Sequence, residues 1–335
     1  VTAADVIVVN TLGGALRHYT VGLVASIGAS GARVSVVHVD EPSRAGGNGL
    51  GWVRRYVLAL WSARRPARRS GARVIVTWPV LGHLDRLIVR VVLGRAAESS
   101  LVMHDPRPLV PARGYGRVAR RLADRCRVEV VVHSGTAAAA LAEDCPALVP
   151  VLLPHPVVPR DVTAPKQATG GRPVVRVLGQ FKPDRDVELL AEIGAQLGDT
   201  HRLEITGRRW PAVDGWSVTD EFVSEERLDD LMATADAVLV PYKRFFQSGI
   251  AIRSLELGTP AIGPAGSSIA DLYPDDRYLA CGSGASWCGA ITTATSADPD
   301  ETRELAARAG RACREAWSDW VRGGNTATRR RAAVS

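Results

Sequence analysis

A serine and a glycine open the stretch best suited to chemistry. Ser248 and Gly249 precede Ile250 and a run that reads as a helix to about Leu257, closed by Gly258 and Pro260. A serine at such a start caps the first amides, and a glycine lets a ligand approach the backbone closely. The unpaired amides and the helix dipole favour an anion there. Glu256 falls seven residues after Gly249, about two turns later on the same face, with its side chain tilted back toward the N-terminus. A ligand with phosphates at one end and a diol a few ångströms away would touch both, which describes a nucleoside diphosphate. The plain alternative is that Glu256 is a solvated helix residue.

The elements that must position this constellation follow from periodicity. Asp5 to Val9 reads as a buried strand, Ala15 to Ile27 as a helix and Arg33 to Val39 as a strand, which makes a βαβ unit. Further β-branched runs at Arg73–Thr77, Leu101–Met103 and Val128–Val132 alternate with helical stretches, as in a parallel sheet covered on both faces. The segment from His155 to Arg172 is rich in proline and glycine and lacks periodicity, as a linker would. The alternation then restarts with strand Val174–Leu178, helix Val187–Leu197, strand Arg202–Thr206, helix Glu225–Ala233 and strand Ala237–Val240, which leads to the Ser248 helix. A last helical pattern runs from Glu301 to Arg322. The expected fold class is α/β: two Rossmann-like, doubly wound domains facing an interdomain cleft, at 1–155 and 173–322, with a linker at 156–172 and a frayed tail at 323–335.

Composition agrees with that plan. At 335 residues, the chain is longer than one compact core usually covers, and 46% hydrophobic with 23% charged residues excludes a disordered protein. Five cysteines without a CxxC pair argue against a disulfide framework or a zinc ribbon. The first residues carry no basic leader or cleavage site, so a cytoplasmic location is expected. The net charge of +7 is uneven: residues 1–155 hold 20 Arg against 10 acids, whereas 156–335 hold 22 Lys or Arg against 25 acids. High-GC codon usage explains an arginine surplus as readily as an anionic partner does.

The second half resembles the GT-B glycosyltransferases, most closely glycosyltransferase family 4. The resemblance rests on ordered blocks: Val177-Leu178-Gly179-Gln180 through Arg185 to Leu190; Leu203 to Gly207; Leu228 through Ala235-Asp236 to Pro241-Tyr242; and the Ser-Gly helix ending Leu257-Gly258-Thr259-Pro260-Ala261-Ile262. It implies that Glu256 holds a nucleotide ribose. The family's first acid, which serves the donor sugar, falls on Ser248 with Gln247 beside it, so the charge that would help an oxocarbenium ion is absent there. Arg185 takes the position of a lysine that clamps the departing diphosphate, Gln180 stands where an arginine is usual, and Lys182 is a substitute for that arginine. The alternative for Arg185 is an ordinary surface arginine.

In the first half, Gly13-Gly14 between strand and helix resembles the glycine turn that approaches the donor diphosphate, although such pairs also occur for steric reasons alone. His104, at a strand end in Met103-His104-Asp105-Pro106, matches a position that contacts the donor sugar or helps the acceptor hydroxyl, the alternative being a capping histidine. His18, His83 and Asp85 are further acceptor-side candidates. His155, between two prolines, reads as a structural hinge residue, and His38, His133 and His201 as locally hydrogen-bonded.

The resemblance implies a hexosyltransferase that uses a UDP- or GDP-linked sugar as co-substrate, needs no cofactor or metal, and acts on a sugar, lipid-linked or small-molecule hydroxyl, with retention of configuration. An inverting variant would use Asp85, Asp105 or His83 as base. A sugar-nucleotide epimerase would need a carboxylate pair, and none stands out. No nucleic-acid reading motif interleaves the arginines, and no GxGxxG turn follows Val6–Val9, which disfavours a nicotinamide dehydrogenase. Arg54, Arg55, Arg64, Arg65, Arg68, Arg69 and Arg73 cluster around Trp52-Val53, Tyr56-Val57-Leu58 and Leu60-Trp61 in a stretch that either lies on an anionic lipid surface, as a peripheral membrane contact, or is a buried amphipathic helix followed by a solvated basic loop.

Overall fold

The computed structural model describes residues 5–42, 49–94, 97–108, 112–160, 171–273 and 275–323. The chain divides into two compact units, Val1–Pro156 with Ala312–Ser335, and Val157–Arg311.

The first unit holds β1 (Asp5–Asn10), α1 (Arg17–Gly28), β2 (Arg33–His38), α2 (Gly49–Ser70), β3 (Arg73–Val76), α3 (Leu84–Leu93), β4 (Ser99–Val102), α4 (Arg117–Ala123), β5 (Glu129–Val132), α5 (Gly135–Asp144) and β6 (Val151–Leu152). Its strands form one parallel sheet in the order β2-β1-β3-β4-β5-β6. Short valine and isoleucine runs suit such strands because helices cover both faces. On one face, Val6, Val8, Ile75, Val102 and Val131 pack with Tyr19, Leu23 and Ile27, a stripe at i, i+4 and i+8 of α1.

The second unit holds β7 (Val174–Leu178), α6 (Val187–Leu197), β8 (Arg202–Thr206), β9 (Ser217–Thr219), α7 (Glu225–Ala233), β10 (Ala237–Leu239), α8 (Gly249–Glu256), β11 (Ala261–Pro264), β12 (Leu279–Ala280) and α9 (Gly284–Ser296). Its sheet is parallel in the order β12-β11-β10-β7-β8-β9. Asp186, Ser224 and Ser248 cap α6, α7 and α8 by accepting a first-turn amide hydrogen. Gly207, after β8, lies so close to β7's exit that a Cβ there would sit 2.1 Å from the Gly179 carbonyl oxygen, so only glycine fits.

The last helix, α10 (Pro299–Val321), starts in the second unit, and its residues from 312 onward belong to the first. The sequence placed everything up to 322 in the second domain. Apolar packing decides otherwise: Cys313, Trp317 and Trp320 enter the first unit's core, the Trp317 indole donates to the Pro154 carbonyl at 3.0 Å, and the Trp320 indole donates to Glu129 at 3.0 Å.

Each sheet has one point at which strand order reverses, β1 beside β3 and β7 beside β10. Loops leaving the carboxyl ends of such strands diverge to opposite faces and open a crevice between them. The residues singled out in the sequence follow these strands: Gly13 and Gly14 after β1, His83 and Asp85 after β3, Gln180 to Arg185 after β7, and Ser248 to Ile250 after β10.

Candidate functional site

In the second unit the β7–α6 loop carries Arg185 inward. Arg185 is buried, and its Nη2 donates to the Leu178 carbonyl at 2.7 Å. Its guanidinium lies 4.9 Å from the Trp210 ring centroid and 4.5 Å from that of Tyr242, an aromatic clamp worth more in a desolvated setting than at a surface. Burial lowers its pKa from the usual arginine value, and its Nε has no hydrogen-bond partner among the described residues. It is therefore no ordinary surface arginine.

The clamp is itself held by backbone. The Trp210 indole donates to the Gly179 carbonyl at 2.8 Å, the Asp186 amide donates to the Pro241 carbonyl at 2.8 Å, and the Lys243 amide donates to the Asp184 carbonyl at 3.0 Å. Lys182 and Gln180 flank this loop with exposed side chains. In the sequence Trp210 belongs to the Gly207–Trp210 loop expected to set the donor's base, not to a clamp on Arg185, and the hint for Tyr242 was a tyrosine straight after a strand exit.

At α8, the Ser248 hydroxyl accepts the Ala251 amide at 3.2 Å. The first-turn amides, Gly249 and Ile250 among them, have no acceptor within the helix. A Cβ at Gly249 would meet nothing within 4 Å beyond its own turn of chain, so the backbone is open to approach there. Glu256, at the far end of the helix, is buried rather than solvated. Its Oε1 accepts the Val158 amide at 2.7 Å, and its carbonyl accepts the Arg160 amide at 2.9 Å. Arg160 in turn pairs with Asp229 at 2.6 Å, and Asp229 also pairs with Arg253 of α8. Residues 157–160 are thus strapped across the end of α8, a role for Glu256 beyond the ribose contact that the resemblance implies.

In the first unit, the turn after β1 uses its amides internally. Gly13 donates to the Val39 carbonyl at 3.0 Å, and Gly14 donates to the buried Glu41 carboxylate at 3.1 Å. A carboxylate therefore lies where the glycine turn was expected to meet a diphosphate. Sequence reasoning missed Glu41 because nothing in its local pattern points back across the sheet.

His104 follows β4 and is buried, its Nε2 donating to the Thr77 carbonyl at 2.9 Å. It stacks on Trp78 at 5.4 Å and meets Tyr19 edge-on at 4.7 Å. Tyr19 also touches His133 and His155, which gather with His104 into one imidazole cluster. Backbone carbonyls fix the protons. His133 Nδ1 donates to Leu153 at 2.9 Å, which leaves its Nε2 to accept from the Tyr19 hydroxyl at 3.0 Å, and His155 Nδ1 donates to Pro156 at 2.8 Å. Burial, reinforced by the neighbouring imidazoles, pushes His133 well below the usual histidine pKa and His155 down to about 3.

His83 and Asp85 are buried too. Asp85 Oδ2 accepts the Leu81 amide at 2.6 Å, and burial raises its pKa to about 7. His83 lies against Tyr115 at 5.6 Å, and burial, followed by Arg120 and Arg86, lowers its pKa to about 4. Asp105 accepts the Arg107 amide at 3.2 Å, as a turn-forming residue does. His18 is half-buried on α1. The structure brings His104 together with His133 and His155, and Arg185 with Trp210 and Tyr242.

No known family model matches the sequence, and no curated protein matches it significantly. Solved structures match closely in architecture. A sucrose-phosphate synthase from Thermosynechococcus elongatus superposes with a TM-score of 0.64 at 15% identity, over 99% of this chain and 100% of that one. A glycosyltransferase from Rickettsia africae gives 0.62 at 10% identity, over 100% of both chains. Anabaena HepE in complex with UDP-glucose gives 0.56 at 12% identity, over 96% of this chain and 99% of that one. The two doubly wound units that the alternation of elements predicted are present, and together they have the GT-B fold of these glycosyltransferases, as the resemblance implied.

Proposed function

We propose that this protein is a hexosyltransferase that moves a sugar from a UDP- or GDP-linked donor to a hydroxyl of a sugar, lipid-linked or small-molecule acceptor. The observation that carries the reading is Arg185: a desolvated, aromatic-clamped cation at the β7/β10 reversal, in the unit whose α8 opens with Gly249 and Ile250 amides that have no acceptor within the helix. Breaking the bond from the anomeric carbon to the phosphate oxygen adds negative charge to the departing nucleoside diphosphate. A preorganised guanidinium and a helix N-terminus stabilise that charge without rearranging. Lys182, exposed on the same loop, supplies a second cation, and Glu256 holds the ribose from the far end of α8.

The acceptor oxygen bonds to the anomeric carbon on the face the diphosphate leaves, and its proton passes to the departing phosphate oxygen, so configuration is retained. His104, with its Nε2 proton committed to Thr77, contacts the reacting sugars. UDP-glucose, the ligand in the HepE complex, is the first donor to try. Incubation with a panel of UDP- and GDP-sugars should release nucleoside diphosphate in an acceptor-stimulated way, and Arg185→Met, which removes the charge, should slow that release about a hundredfold. Release at the wild-type rate from Arg185→Met, or conversion of the donor to an epimer with no release, would overturn the proposal.

A further inference from the structure

Exposed apolar side chains concentrate on one face of the first unit. Among the described residues ten large hydrophobic side chains are exposed, and seven of them lie on α2, α3 and α4. They are Leu50, Leu58 and Trp61 on α2, Leu87 and Val91 one turn apart on α3, and Val118 and Leu122 one turn apart on α4. The three helices make successive crossovers, β2 to β3, β3 to β4 and β4 to β5, all in one direction along the sheet. Right-handed crossovers put all three on the same face, and α3 packs between the other two.

On α2 the division is sharp. Tyr56, Ala59, Leu60, Ala63 and Ala67 point inward, whereas Leu50, Arg54, Leu58, Trp61 and Arg65 form the opposite stripe. Trp61 is 60% exposed, with the Arg64 guanidinium 5.1 Å from its ring centroid. Monomeric proteins seldom leave such apolar groups clustered without a partner.

Charge selects the partner. Arg54, Arg65, Arg68, Arg69, Arg117 and Arg121 are exposed on α2 and α4. The single acid within the three helices is Asp85, which is fully buried. A second copy of this face would set arginine against arginine. A nucleic acid would satisfy the arginines and leave the leucines and valines in water. An anionic bilayer surface offers phosphate to the arginines and acyl chains to the apolar side chains between them. Among the described residues no helix is long and apolar enough to cross a membrane, so contact would be along the surface.

We propose that the α2–α3–α4 face docks this protein on an anionic lipid bilayer, with Leu58, Trp61, Val118 and Leu122 entering the interface and the flanking arginines holding the headgroups. The reading is independent of the transfer reaction, because its test measures partition and needs no substrate. The full chain should be sedimented with vesicles of phosphatidylcholine alone and of phosphatidylcholine with phosphatidylglycerol. Partition should favour the anionic vesicles about tenfold. Leu58→Ser with Trp61→Ser, Val118→Ser with Leu122→Ser, and Arg54→Glu with Arg65→Glu should each weaken it about fivefold or more while leaving the melting temperature near that of the wild type. Absence of sedimentation with either vesicle would overturn the proposal. So would serine variants that bind vesicles as the wild type does, with RNA competing for the same arginines, or a concentration-dependent dimer abolished by those variants.

Discussion

The Glu256 carboxylate accepts the amide hydrogen of Val158, 98 residues earlier in the chain, at 2.7 Å. A residue expected to meet ligand is thereby also a structural clasp, and the two roles separate by experiment. Glu256→Ala leaves the Val158 amide without its acceptor, which costs about 1–3 kcal/mol and lowers the melting temperature by about 2–4 °C per kcal/mol. Glu256→Gln keeps an acceptor oxygen and should melt closer to the wild type. A ribose contact predicts in addition that UDP or GDP raises the melting temperature of both variants less than it raises that of the wild type. Scanning fluorimetry with and without nucleotide reads both effects, and an Ala variant that melts like the wild type would remove the clasp.

Arg185 owes its position to Trp210 and Tyr242 rather than to a carboxylate. Tyr242→Phe keeps the aromatic face and should retain kcat/KM for the donor within a few-fold. Tyr242→Leu and Trp210→Leu remove one face each and should lower it about 2- to 30-fold, the range of a buried cation–π contact. Trp210→Phe falls between, since it keeps a ring but loses the bond to Gly179. Initial rates of diphosphate release decide the matter, and equal rates for Tyr242→Leu and Tyr242→Phe would show that the clamp does not position Arg185.

Most of the second unit was legible because its elements are long enough to show a period. The strand Val174–Leu178 and the helices Val187–Leu197 and Glu225–Ala233 begin and end where the sequence placed them. The two-residue strands β6 and β12 and the three-residue β9 are too short to carry a pattern, and pairing with a neighbouring strand alone defines them. The last turns of α10 read as helix, but which core they join depends on where Trp317 and Trp320 find apolar neighbours. In the site, Ser248 was readable as a cap from its local context. Glu41 beside Gly14, Val158 beside Glu256, and His133 and His155 beside His104 are contacts across the fold, which no local spacing encodes.

Two buried groups of the first unit give stability opposite slopes with pH. Asp85 has its pKa raised to about 7 by burial. Its neutral form suits the fold, so its contribution is complete below the ordinary aspartate value of about 4 and is lost as pH rises toward 7. His155 is the reverse. With its pKa pushed down to about 3, its contribution is complete above the ordinary histidine value of about 6.5 and is lost as pH falls toward 3. Between about pH 4 and 6.5 the two trends oppose each other. Asp85→Asn removes the falling limb, so its urea midpoint should climb with pH more steeply than that of the wild type. His155→Gln removes part of the rising limb, so its midpoint should climb less than the wild type's or fall. Urea titrations from pH 4 to 7.5, read by tryptophan fluorescence, test both. Parallel wild-type and Asp85→Asn curves would show that this carboxyl titrates alike in the folded and unfolded chain.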